Sequence, residues 1–176
     1  MEPVVTPAPV DPNVGAGEFQ MLSEFLDYFR TVLRRKAEGL DESQLRRRIA
    51  ASSINLAGML KHLAFVEDYW FSYRLKGNAP ASPWDTAPWE EDPDWDWNSA
   101  ADDEIPSIFA LFDGAVLASR SIQDSGLQLD TVVARPIVGE ETMNFRWIMI
   151  HMIEEYSRHC GHADLIREAI DGQTGD

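Results

Sequence analysis

Cysteine is nearly missing from this sequence, with Cys160 the single one among 176 residues. No intrachain disulfide can form, which suits a reducing cytoplasm. Basic charge is scarce too: 15 Lys and Arg stand against 30 Asp and Glu, a formal net charge of −15 at pH 7. A phosphate backbone needs a basic face, so this balance excludes nucleic acid as a partner. An anionic membrane surface is excluded on the same ground. Long apolar runs are lacking as well, because charged residues break every one before the roughly 20 residues a membrane span requires. Met1–Gly17 has neither a basic start nor an apolar core, so it reads as a flexible tail and not a signal peptide. What remains is 44% hydrophobic, which argues against wholesale disorder and for one domain over 18–176 with a real core.

Four helical patterns organise that domain. Phe19, Leu22, Phe25, Leu26, Phe29, Val32 and Leu33 recur every three or four residues and predict a first helix from Glu18 to Glu38, stopped by Gly39. The stretch Asp41–Arg48 reads as a solvated turn. A second helix is expected from Asn55 to Lys76, with Met59, Leu63, Val66, Trp70 and Tyr73 on one stripe. A third runs from Asp103 to Ser125 and a fourth from Asn144 to Ile170, each closed by a glycine. Between the last two, Gln128–Gly139 is extended but too short to found a sheet. The fold class is all-α, a four-helix bundle; a crossover between the second and third helices would make those two parallel.

That connection, Asn78–Asp102, carries Trp84, Trp89, Trp95 and Trp97 among prolines and acids. Four tryptophans are a large apolar payload for a solvated loop, so it is expected to lie against the helices. It either shields core surface or forms a lid over a pocket.

The four histidines are distributed unevenly. His62 stands alone on the second helix, while His151, His159 and His162 share the fourth. At about 100° per residue, His159 falls about 40° from Glu155, inside the stripe of Ile148, Met152, Ala163 and Ile166, with Glu155 on its margin. His151 and His162 lie just outside, and Glu154 points to water. His62 falls on the apolar stripe of the second helix. A carboxylate on a face that wants hydrocarbon demands a partner. An ion held by Glu155 and His159 one turn apart, completed by His62 from a facing helix, supplies one. Two His and one Glu with open positions is the donor set of a catalytic zinc site. The plainer alternatives are a hydrogen-bonded core histidine at His62 and a simple Glu–His ion pair on the fourth helix. His162 is a candidate for replacing Glu155 or for an outer role, and His151 for the same two roles. Cys160, turned about 100° from His159, reads as a small core residue, and Arg146 and Arg158 as solvated charges.

The segments LAGMLKHLAFVEDYWF and MIEEYSRHCGHADLIREAIDG together resemble the DinB-like (DinB/YfiT) metal-binding superfamily. Within it they are most similar to the actinobacterial subgroup of mycothiol-dependent S-transferases and maleylpyruvate isomerase. The resemblance runs from about Glu18 onward. It implies an up-down-down-up four-helix bundle with a long crossover between helices two and three. Many members use three histidines, one on helix two and an HxxxH pair on helix four; this chain has Glu155 and His159 in the pair, like the His/Glu/His set of the isomerase-like branch. Gly161 follows as in the family, while His162 stands where other members often have Gln. What the resemblance implies is a divalent metal, Zn2+ before Ni2+ or Fe2+, activating a low-molecular-weight thiol such as mycothiol for attack on an electrophilic small molecule. The expected protein is thus a cytoplasmic thiol S-transferase, by default a two-fold homodimer. The alternatives are a metal-dependent hydrolase, or a non-enzymatic metal-binding stress protein.

Overall fold

A computed structural model describes residues 6–49 and 51–175. Among them every regular element is helical: α1 (Glu18–Lys36), α2 (Glu42–Leu45), α3 (Leu56–Glu67), α4 (Trp95–Asn98), α5 (Ile105–Gln123) and α6 (Phe145–Asp171). α3 runs on as a π-helix over Asp68–Leu75, and α4 runs on as a 3-10 turn over Ser99–Ala101. Extended backbone among the described residues amounts to one antiparallel bridge, Val132 to Asn144. The chain is all-α.

Local chemistry sets the ends. The Asn55 side chain accepts from the Gly58 N–H at 2.9 Å and starts α3, and Asn144 does the same for Trp147 at α6. These caps each satisfy one orphan donor of a helix start. Gly172, at φ 78°, supplies the left-handed residue that closes α6.

Side-chain contacts give the directions of packing. α1 and α6 run side by side in the same direction, with Phe19 on Phe145 at one end and Lys36 paired to Asp164 at 2.7 Å at the other. α3 and α5 are also parallel, since Lys61 meets Asp103 just before α5 and the Glu67 carbonyl meets Ser119 farther on. α3 runs against α6: His62 faces His159, and Trp70 faces His151 and Trp147. The core between them includes Leu26, Met59, Leu63, Phe71, Phe112, Phe145, Met152 and Tyr156, all at or near zero exposure.

Three features depart from the sequence reading. The Asp41–Arg48 stretch is not merely a solvated turn. Asp41 and Gln44 form a reciprocal capping box that winds α2, and Leu45 is buried beneath it. The second long helix is not α throughout; past Glu67 its turns widen to i→i+5 bonding, as in Lys76 N–H to Phe71 O at 3.2 Å. A wheel at about 100° per residue therefore loses phase beyond Asp68. Finally, α5 is by length and composition long and apolar enough to cross a membrane. Its Ile108, Phe112, Val116 and Ser119 are buried, and its Asp113 and Arg120 pair with Arg34 and Asp27 of α1, both at 2.9 Å.

Of the segment 1–17 expected as a tail, residues 1–5 lie outside the described residues. The remainder forms no helix before Glu18 but is tied down, through Thr6 to Glu38 just past the end of α1 and the Asn13 N–H to Glu24 of α1 at 2.7 Å. The Trp-rich loop does lie against the helices. Trp84 is buried, and Trp89, Trp95 and Trp97 are partly buried on the core.

Candidate metal centre

Antiparallel α3 and α6 bring His62 opposite Glu155 and His159. One ligand atom from each of the three lies within 4.8 Å of the other two. His159 is buried on α6, and Glu155, one turn earlier, is half-buried with its Oε2 3.5 Å from His159 Nε2. The His62 and His159 rings meet edge to face at 5.0 Å.

The protonation states suit cation binding. His159 holds the Glu155 carboxyl below the usual carboxylate range, against the opposing effect of burial. Burial in turn pushes His159 below the ordinary histidine value, against the pull of Glu155, and His62 adds to the lowering. The pair therefore presents a carboxylate beside a neutral imidazole at neutral pH, the forms a metal needs. His159 Nδ1 is buried with no hydrogen-bond partner among the described residues. The His159 nitrogen beside Glu155 is Nε2, so this ring has one nitrogen facing the carboxylate and the other without a partner, and a donor set of two imidazoles and one carboxylate fits a divalent ion.

His62 is not packed in hydrocarbon as its place on the stripe suggested. Its Nδ1 donates to the Asp96 carboxylate at 2.6 Å, and the Trp97 ring stacks on it at 4.4 Å between centroids. Asp96 is buried, 4% exposed, and comes from α4 inside the Trp-rich loop. Sequence reasoning missed it. It is one acid among eight in Asn78–Asp103, and nothing in its local pattern sets it apart.

The remaining sequence candidates fall around the centre. His151 is half-buried, stacked on Trp147 at 4.8 Å and edge-on to Trp70, with its Nε2 3.7 Å from Glu155 Oε1. The His162 ring lies 5.7 Å from that of His159. Neither joins the convergent group. Cys160 is buried against the Phe29 carbonyl, as a small core residue would be. Arg146 pairs with Glu18 and Arg158 with Glu154 on exposed surface.

Behind the centre lies a buried polar network that periodicity gave no sign of. Arg30 on α1 grips Glu67 at the end of α3 through two bonds of 2.7 Å. The Tyr156 hydroxyl of α6 donates to the same carboxylate at 2.8 Å, and Gln123 of α5 accepts from Arg30 at 2.9 Å. Burial, with the Glu67 charge beside it, raises Tyr156 well above the usual tyrosine value. All four long helices are thus joined one residue from Glu155.

Along α3 from His62, Phe65, Tyr69 and Tyr73 join Trp84 and Trp89 of the loop around a cavity of about 330 Å³. It begins one helical turn from the metal ligand candidate.

Compared with known proteins, residues 21–172 match the family model described as Mycothiol-S-transferase. No curated protein and no solved structure matches the chain.

Proposed function

The chain belongs to the mycothiol-S-transferase family, and on that premise we propose that it is a divalent-metal-dependent thiol S-transferase centred on His62, Glu155 and His159. The convergence of these three side chains from facing helices carries the reading. The finer fold follows from the same premise: one DinB-like four-helix bundle over 18–176, up-down-down-up, a reading supported by the parallel courses of α1 with α6 and α3 with α5.

Two imidazoles and a carboxylate would hold Zn2+ with open positions left for substrate. A bound ion of this kind supplies the acidity that makes a thiol a thiolate at neutral pH. The chain's own residues do the rest. Glu155 stays ionised and offsets part of the cation's charge. Burial keeps His159 from protonating. Cys160, held in the core, is not offered as a nucleophile, so the sulfur must come from a small-molecule thiol, mycothiol on the family's name. The electrophile's flat apolar part suits the cavity walled by Phe65, Tyr69, Tyr73, Trp84 and Trp89. Such chemistry belongs in the cytoplasm.

Metal analysis and a conjugation assay test this together. Purified protein should carry about one equivalent of divalent metal, lost in His159→Ala. Turnover of a generic electrophile should need both thiol and metal. Less than half an equivalent, unchanged by His159→Ala, sinks the centre; metal-dependent turnover that ignores thiol makes the protein a hydrolase.

A further inference from the structure

We propose that Asp96 is a positioning residue for the metal centre, so that the Trp-rich loop serves as the arm that delivers it and not only as a cover for the core. The inference rests on the metal reading of His62 but concerns a residue that reading does not contain.

A ligating histidine must present one ring nitrogen with a free lone pair, and a second group must hold the other nitrogen's proton. Metal-bound histidines usually donate that proton to a carboxylate or carbonyl, which sets the tautomer and the ring orientation and raises the ligand's basicity. Asp96 does this for His62. The 2.6 Å bond from Nδ1 commits the proton to that side and leaves Nε2 as the acceptor. Trp97, the next residue, lies on the ring face at an interplanar angle of 21°. One residue therefore controls rotation within the ring plane and its neighbour controls the plane itself.

The arm is built to hold still. Lys61, beside His62, sits 4.3 Å from the centre of the Trp95 ring and pairs with Asp103 at 2.5 Å. Arg46 from the end of α2 bonds to the carbonyls of Ala100 and Asp103. Gly58, one turn before His62, leaves space for Trp97, because a Cβ there would meet its Cε3 at 3.1 Å. Grips from α2 and α3 thus surround a four-residue helix whose one buried charge faces the histidine. A carboxylate 4% exposed is costly to bury without a partner, and His62 is the partner this one has.

Zn2+ affinity, measured against a chromophoric chelator in the full chain, tests the inference. Asp96→Asn keeps the size but loses the charge, and should weaken zinc binding by about 10–100-fold with the helical circular dichroism unchanged. Asp102→Asn, an exposed acid of the same loop, should leave affinity as it is. A second measurement needs no variant: in metal-free wild-type protein, nitrogen NMR of the imidazoles should find the His62 proton on Nδ1. A proton on Nε2, or an Asp96→Asn loss no larger than that of Asp102→Asn, overturns this inference alone. Wild-type protein that takes up no zinc overturns the metal reading and this inference with it.

Discussion

At the scale of single residues, the site is defined by what each titratable group is prevented from doing. His159 is kept from protonating by burial, and Glu155 from losing its charge by His159. Both folded-state values lie below the ordinary 6.5 and 4.5, so on acidification the unfolded chain takes up each proton before the folded one does. Stability contributed by the pair is full at neutral pH and is lost as pH falls, first below 6.5 and then below 4.5. Urea unfolding of metal-free protein across this range should show the decline. In His159→Ala the slope just below neutrality should flatten; an unchanged slope would mean that other groups cause the loss. His159 was readable from its position on the α6 stripe. Asp96 was not, because its importance comes from a contact across 34 positions of chain.

Helices act as units through what they share in the interior. Arg30, Glu67, Tyr156 and Gln123 tie α1, α3, α6 and α5 at one level, and Glu67 lies five residues beyond His62 while Tyr156 adjoins Glu155. Removing one partner of a buried ion pair leaves the other charge stranded, at a cost of about 3–5 kcal/mol. Glu67→Ala should lose that much in chemical denaturation. Asp113→Ala, which breaks the exposed pair with Arg34 between α5 and α1, should cost less than about 1 kcal/mol. Equal losses would show that the network is not what orders the helices. The helix assignments were largely legible, since amphipathic spacing and glycine stops mark each long helix. The π-helical continuation of α3 was not, because a widened turn has no periodic signature in a row of aromatic residues.

For the whole molecule, the centre bridges two antiparallel helices and a loop arm, so an ion bound there binds only the folded state. Ligand at 100 times its dissociation constant stabilises by about 2.7 kcal/mol, which is about 5–10 °C in Tm for a chain of this size. Stripping the metal with a chelator should lower Tm by that amount and restoring Zn2+ should recover it, whereas His159→Ala should show no shift. A chain whose Tm ignores both treatments has no metal coupled to its fold.

The amino-acid order by itself determined the all-α class, the four long helices and which residues stand out as candidates for the centre, while the antiparallel course of α3 and α6 is what brings them together. The class, the helices and the candidates follow from periodicity and from the rarity of a carboxylate and imidazole on an apolar face, and both are local properties. Tertiary structure decided which groups serve those residues. The α2 capping box was written in Asp41 and Gln44, yet its use, carrying Arg46 to the loop, appears only once the loop is folded back. Asp96 and Trp97 come to His62, and Arg30 to Glu67, because a crossover and a helix pairing bring together groups far apart in the chain. Burial there removes the water that would otherwise compete for every one of those hydrogen bonds.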